Sequence, residues 1–242
     1  MFVDAHVHLH EFTLKEVEEF IDLGVVLVAV SDDYDSSVKT LELRDFFPGR
    51  VKACVGIHPW KIPAEGVPAS LIDSLLDLVR EADCVGEVGV DLKFVPETFE
   101  AQREAFRVLA GEAAKLGKPI NVHAAGAWQE ALAVLAELNA PKALLHWYTG
   151  PEGLLPLLSE RGYFVSINPA VKIQRKHRDL AARVDPSMLL TESDGPYDYR
   201  GLKLSPRLIP ELVADIAALR GVASAEIASV VRENFNRLFP RK

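Results

Sequence analysis

Short apolar runs rich in valine alternate along the chain with stretches of helical period. The first run, Val3–Leu9, is followed by Thr13-Leu14-Lys15-Glu16, the spacing of a capping box, and the helix it opens stops at Gly24. Val25–Val30 is the second run; a helix near Ser36–Phe46 then leads to Val51–Ile57, and one near Ala69–Glu81 leads to Cys84–Val88. A long helix from about Glu97 to Leu116 stops at Gly117, ahead of Pro119–His123. Helices near Ala127–Leu138, Glu152–Arg161 and Lys172–Val184 precede Ala143–His146, Tyr163–Asn168 and Met188–Ser193 in turn. From Pro206 the tail reads as one or two helices. Eight strands, each followed by a helix, with no linker and no break in composition, predict an α/β fold: a TIM (β/α)8 barrel, one domain over residues 1–242.

Polar residues interrupt this pattern at one end of the strands. In VDAHVHLH, Asp4, His6 and His8 share a face opposite Val3, Ala5, Val7 and Leu9. That face suits either a metal, which two imidazoles at i and i+2 can share, or the solvent side of an edge strand. Later strands favour the metal. His58 follows strand three in VGIHPW, Glu87 lies near the end of strand four in CVGEVGVD, and Asn121 and His123 share a face in PINVHA. His146 ends strand six, Asn168 ends strand seven, and Glu192 and Asp194 share a face in LLTESDGPY. Each of these alone could be a hydrogen-bonded structural residue. Together, five of the seven histidines gather with Glu87 and Asp194 at the end of the strands where such barrels carry their chemistry. Inward acids are costly unless compensated, and a divalent metal centre compensates them while taking neutral imidazole as ligand. His10 and His177 match no inward strand end and are expected at the surface.

Composition narrows the class. The chain has 242 residues, 49% of them hydrophobic and 26% charged, as expected of a globular protein with a large core. A formal net charge of −8 argues against a broad nucleic-acid-binding surface, though not a local one. The longest apolar run, Val25–Val30, is far short of the ~20 residues that span a bilayer. No leader peptide is read at the N-terminus, and the expected location is cytoplasmic. Cys54 and Cys84 lie in apolar strand-like runs without CxxC spacing and are expected as reduced core cysteines.

The motifs DAHVHL, GIHP, GEVGVD, QREAFRVLAGEAAKLGKPINVHA, HWYTG, LLTESDGPY and the NFNRLF tail, in this order, resemble the TatD-like metal-dependent deoxyribonuclease family of amidohydrolase-like barrels. The resemblance covers nearly the whole chain. Carried over by position, it implies that His6, His8, Glu87 and Asp194 hold one metal, with Glu87 bridging to a second held by His123 and His146. It implies two divalent ions, from among zinc, manganese, cobalt, nickel and magnesium, and cleavage of a phosphodiester in DNA or a small molecule by a metal-activated water. Asp194 and Glu87 would be the catalytic carboxylates, with Asp194 taking the proton. Glu192 is expected as a structural partner instead. His58 is the expected substrate contact, and Trp60 beside it is expected to pack on the rim. Lys172, Arg175 and Lys176, in the basic run after strand seven, are candidate phosphate contacts, whereas Arg178 and Arg183 read as solvated. The run after His123, HAAGAW, lacks the basic residue the family usually places there. Hydrolysis of a small ester, lactone or amide is therefore the alternative, and a binding barrel without chemistry a third reading. Neither a membrane nor a protein partner is inferred.

Overall fold

The structure is a computed structural model that describes residues 1–240. The strands are β1 (Phe2–Val7), β2 (Val25–Ala29), β3 (Val51–Val55), β4 (Cys84–Gly89), β5 (Ile120–His123), β6 (Ala143–Leu145), β7 (Phe164–Ile167) and β8 (Leu189–Thr191). The helices between them are α1 (Leu14–Asp22), α2 (Tyr34–Phe46), α3 (Ala69–Glu81), α4 (Phe99–Lys115), α5 (Trp128–Glu137), α6 (Leu155–Glu160) and α7 (Arg175–Arg183). A hairpin of β9 (Asp198–Tyr199) and β10 (Leu202–Lys203) follows β8, and α8 (Ile209–Arg220) and α9 (Ser224–Leu238) complete the order. The eight long strands form one sheet in chain order, β1 to β8. The pairs β1–β2, β3–β4, β4–β5, β5–β6 and β7–β8 are parallel. This is the (β/α)8 TIM-barrel class that the alternation predicts. Strands end earlier than the apolar runs suggest. His8, His58, His146, Glu192 and Asp194 consequently sit in the turns after strands, where they can leave the ladder.

Contacts divide the chain into two units. The first comprises Met1–Ala29, Gly49–Val51 and the chain from His146. In it Phe2 pairs with Val25 and Val165 with Leu189. β8 is fastened to β1 by Thr191 Oγ1, which donates to Val3 O at 2.6 Å, and by Ser193 N, which donates to Asp4 Oδ1 at 2.8 Å. The predicted capping box opens α1: Thr13 Oγ1 accepts from Glu16 N and Glu16 Oε2 accepts from Thr13 N. Asn234, in the NFNRLF tail, is buried on α9 and donates to Pro186 O and Leu189 O at 2.7 and 2.8 Å, which ties that helix to the start of β8. The β9–β10 hairpin was not expected, since two-residue strands carry no periodicity.

The second unit comprises Val30–Pro48 and Lys52–Leu145. A second capping box, Asp33 with Ser36, opens α2. Gly86 and Gly89 on β4 let β5 approach closely: φ is +157° and +147°, and a Cβ at Gly89 would overlap the His123 carbonyl oxygen.

Three expectations are corrected. Cys54 and Cys84 form a disulfide rather than two reduced thiols. Parallel pairing sets them opposite one another, with Cα atoms 4.4 Å apart, and spacing of 30 residues in sequence gave no sign of that register. Closing a loop of that length contributes about 3–4 kcal/mol in the chain-entropy picture. His177 is not at the surface. It is buried on α7, where Nε2 accepts from Asn168 N at 3.0 Å. His10 is half-buried in a 3-10 turn over Leu9–Glu11, its ring edge-on to His8. Among the described residues no helix is long and apolar enough to cross a membrane.

Burial pushes the His177 imidazole down to about 4, against about 6.5 in an unfolded chain. Its neutral form therefore contributes stability that is present above pH 6.5 and is lost as pH falls toward 4. Gln can accept from Asn168 N without titrating. His177→Gln should flatten the fall in Tm between pH 6.5 and 4; equal falls in variant and wild type, followed by circular dichroism, would remove His177 from the acid response.

Candidate metal centre

The first unit collects four of the predicted residues. His6 projects from β1 and is fully buried, and His8 follows in the next turn. The His6 ring stacks on His146 with centroids 4.0 Å apart and 10° between planes. Asp194 reaches the same place from the turn after β8, in a left-handed conformation (φ 55°) held by its N–H on His6 O at 3.0 Å. Its Oδ1 is 3.3 Å from His6 Nε2 and 3.5 Å from His8 Nε2. Burial would raise this carboxyl, but the two imidazoles outweigh it and hold it well below the usual carboxylate range. His6, His146 and Glu192 offer ligand atoms within 4.8 Å of one another.

Two acids here differ from Asp194. Glu192 accepts from Trp147 N at 2.8 Å, from Ser166 Oγ at 2.5 Å and from Asn168 Nδ2 at 3.4 Å, the pattern of a structural carboxylate. Asp4 does not share a ligand face with the histidines. Its Oδ1 accepts from Ser193 N and His6 N, its Oδ2 is buried without a hydrogen-bond partner, and burial pushes its carboxyl up to about 7.

The second unit brings together His58, Glu87 and His123, whose ligand atoms also lie within 4.8 Å of one another. Glu87 Oε1, on β4, is 3.3 Å from His58 Nε2 and 2.8 Å from His123 Nδ1. His58 is fixed from behind, because its Nδ1 accepts from Trp60 N at 3.1 Å. His123 is fixed by Asp91, whose Oδ2 lies 2.9 Å from His123 Nε2. Asp91 is itself saturated: Oδ2 also accepts from Trp60 Nε1 at 2.6 Å, and Oδ1 accepts from Lys93 N and Phe94 N, both at 2.8 Å. Burial works against the charged forms of both, but these bonds hold Asp91 down at about 2 and raise His123 to about 9.

The donor sets fit divalent ions. Atoms about 2.0–2.2 Å from a tetrahedral ion stand about 3.3–3.6 Å from each other. The separations of 3.3 and 3.5 Å at Asp194 are long for hydrogen bonds and match that edge. Imidazole with carboxylate suits zinc and its first-row neighbours.

Residues 3–240 match the sequence model described as TatD related DNase. The chain belongs to that family. Among its relatives, the uncharacterized metal-dependent hydrolase YcfH of Escherichia coli K12 is 30% identical over 98% of this chain and 95% of its own length. The human protein named deoxyribonuclease TATDN3 is 28% identical, covering 99% of this chain and 94% of itself. The crystal structure of YJJV, a TatD homolog from Escherichia coli K12, superposes with a TM-score of 0.87 at 21% identity, covering 100% of this chain and 98% of that one.

In this TatD-family chain the basic run after β7 is only partly available. Lys172 Nζ is 2.6 Å from Glu211 Oε1 and 3.8 Å from Asp215 Oδ2, so its charge is already compensated. Arg175 is 94% exposed with Asp179 at 3.9 Å, and Lys176 is exposed. Trp60 is bonded to Asp91 while 46% exposed, which is more than rim packing. Sequence reasoning passed over Asp91 and Gln102. Asp91 ends the quoted GEVGVD, four residues after Glu87, and that spacing was its one signal. Gln102 accepts from Asp91 N at 2.7 Å across eleven residues, which no spacing rule finds.

Partners behind a metal-binding histidine typically tune affinity by 10–100-fold. Asp91→Ala should weaken metal binding by about that factor, measured by competition with a chromogenic chelator. Unchanged affinity would remove His123, or its support by Asp91, from the metal centre.

Proposed function

We propose that this TatD-family chain is a metal-dependent hydrolase that cleaves phosphodiester bonds, with DNA or a short piece of it as substrate. The observation that carries the reading is Asp194, a buried ionised carboxylate standing at ligand-edge distances from His6 Nε2 and His8 Nε2. The human relative named deoxyribonuclease supports the phosphodiester substrate. In this reading His6, His8, Glu87 and Asp194 hold one ion, and Glu87, His123 and His146 a second. Six ligands are too many for one tetrahedral ion.

When bound, the ions would supply Lewis acidity toward a phosphoryl oxygen and acidify water to a pKa of about 7. The chain's own residues do the rest. The Asp194 carboxylate, set beside His6 and His8, would be the acceptor for the proton of the attacking water. Asp91 holds His123 by Nε2 and leaves Nδ1 facing Glu87. Glu192 anchors the backbone of Trp147 and so the turn that carries His146. His58, with Nδ1 engaged by Trp60 N, presents Nε2 for charge developing on a non-bridging oxygen.

A second reading, hydrolysis of a small ester, lactone or amide, is favoured by one feature. HAAGAW offers no cation after His123, and Lys172 is engaged by Glu211. Rates on a nitrophenyl thymidine phosphodiester beside a lactone and ester panel decide between the two. A barrel without chemistry would be expected to lack ligand residue types, whereas this sequence carries a His, Glu or Asp at each position that the family resemblance assigns to the metals.

Glu87→Ala should lower bound metal at both positions and abolish nearly all turnover; wild-type metal content and rate would end the shared-carboxylate assignment. His58→Ala should keep its metal and slow turnover by roughly 10²–10³-fold. Loss of metal on that substitution, read by elemental analysis, would instead make His58 a ligand.

A further inference from the structure

Trp147 follows His146 directly, and its backbone is left-handed, with φ 39°. A bulky residue there is a strained outlier, where glycine or asparagine would turn freely. Two buried acceptors impose the turn: Trp147 N donates to Glu192 Oε1 at 2.8 Å and to Ser166 Oγ at 3.2 Å. The indole is left half-buried, its Nε1 donating to Gln174 Oε1 at 3.2 Å.

The β9–β10 hairpin brings two more rings to it. The Tyr199 and Tyr197 centroids lie 5.0 and 6.2 Å from the indole, each at 74°. The hairpin is fixed. Arg200 (φ 54°) and Gly201 (φ 85°) make a two-residue turn with positive φ at both positions, the form that suits strand twist. Leu204 N donates to Tyr197 O at 2.9 Å, and Tyr197 N donates to Asp194 O at 3.2 Å. The rings are therefore tied to a candidate metal ligand at each end, His146 through the chain and Asp194 through a hydrogen bond. They are not core: Tyr197 is 44% exposed, and the exposed Arg200 lies 5.3 Å from the Tyr199 centroid.

We propose that Trp147, Tyr197 and Tyr199 form a nucleobase-stacking subsite beside the metal centre, with Arg200 placed to take an adjacent phosphate. This deepens the phosphodiesterase reading and rests on it. Aromatic faces next to a cation are the means by which proteins hold single-stranded nucleic acid without reading sequence, and every base offers a face. Backbone strain at Trp147, whose indole is left half-buried beside two tyrosine rings, fits a binding role better than a packing one.

The test is equilibrium binding of a labelled, phosphorothioate-linked thymidine pentamer to the metal-loaded protein, together with a set of analogues each lacking one base. Removing one particular base should weaken binding to wild type by roughly 5- to 150-fold. Trp147→Ala should bind the intact pentamer that much more weakly and become indifferent to the same missing base, while Trp147→Phe keeps most of the dependence. Tyr197→Ala, on the exposed hairpin, serves if Trp147→Ala fails to fold, and should lose part of it. The subsite is overturned if no missing base costs wild type more than about twofold, if the pentamer does not bind at all, or if Trp147→Ala stays fully base-dependent. Cleavage of phosphodiesters without base dependence would sink the subsite and keep the hydrolase. Base-dependent binding by a protein that cleaves no phosphodiester would do the reverse.

Discussion

Five carboxylates are buried, Asp4 and Glu87 within strands and Asp91, Glu192 and Asp194 just beyond strand ends, and the chain around them is arranged to bear that charge. An isolated buried carboxylate costs several kcal/mol, comparable to the whole stability of a domain. Asp91 and Glu192 meet the cost with hydrogen-bond donors, four and three respectively. At Asp4 burial outweighs the donors Ser193 N and His6 N and pushes the carboxyl up to about 7, which lessens the charge it carries. Asp194 is different. It faces imidazole nitrogens at 3.3 and 3.5 Å, the edge lengths of a tetrahedral ligand shell, and those imidazoles favour its charged form. The carboxylates thus sort by environment into struts and candidate ligands without any difference in residue type.

Struts and ligands are also linked. Glu192 bonds the backbone of Trp147, which follows His146, and Asp4 bonds Ser193, which precedes Asp194. Two candidate ligands in turns, His146 and Asp194, are therefore each held through a neighbouring residue by an acid that is not itself a candidate ligand. Left-handed residues mark the same places: Trp147 and Asp194 have positive φ although neither is glycine. The strands supply fixed origins, and the strained turns supply aim.

The order of strands was legible because short apolar runs and helical stretches alternate along the chain, and the site because histidine is rare enough for five near strand ends to stand out. The seven motifs then identified the family. What escaped was set by register or by distance in sequence. The Cys54–Cys84 pairing depends on which residues of β3 and β4 face one another, a quantity no spacing rule contains. His177 looked like one more polar residue in a basic helix, yet it is buried on Asn168. Asp91 was visible within a quoted motif, but its role needs the Trp60 and His123 rings placed against it. The basic run was legible as charge and not as availability, since Lys172 is already paired with Glu211 from α8.

Charge also shapes how such a site could hold an anionic substrate. With a formal charge of −8 the protein as a whole repels a polyanion, though at physiological salt that repulsion fades beyond about 8 Å. Recognition must then be local. Beside His146 and Asp194 the chain places the rings of Trp147, Tyr197 and Tyr199, and stacking on a ring needs no net positive charge. Desolvated aromatic contacts are also insensitive to salt, unlike the Lys and Arg contacts that dominate basic nucleases. An acidic protein that used the proposed aromatic contacts would favour a substrate whose bases or other planar groups are accessible. A closed duplex, which hides its base faces and presents its phosphates, is the form that the proposed subsite would resist.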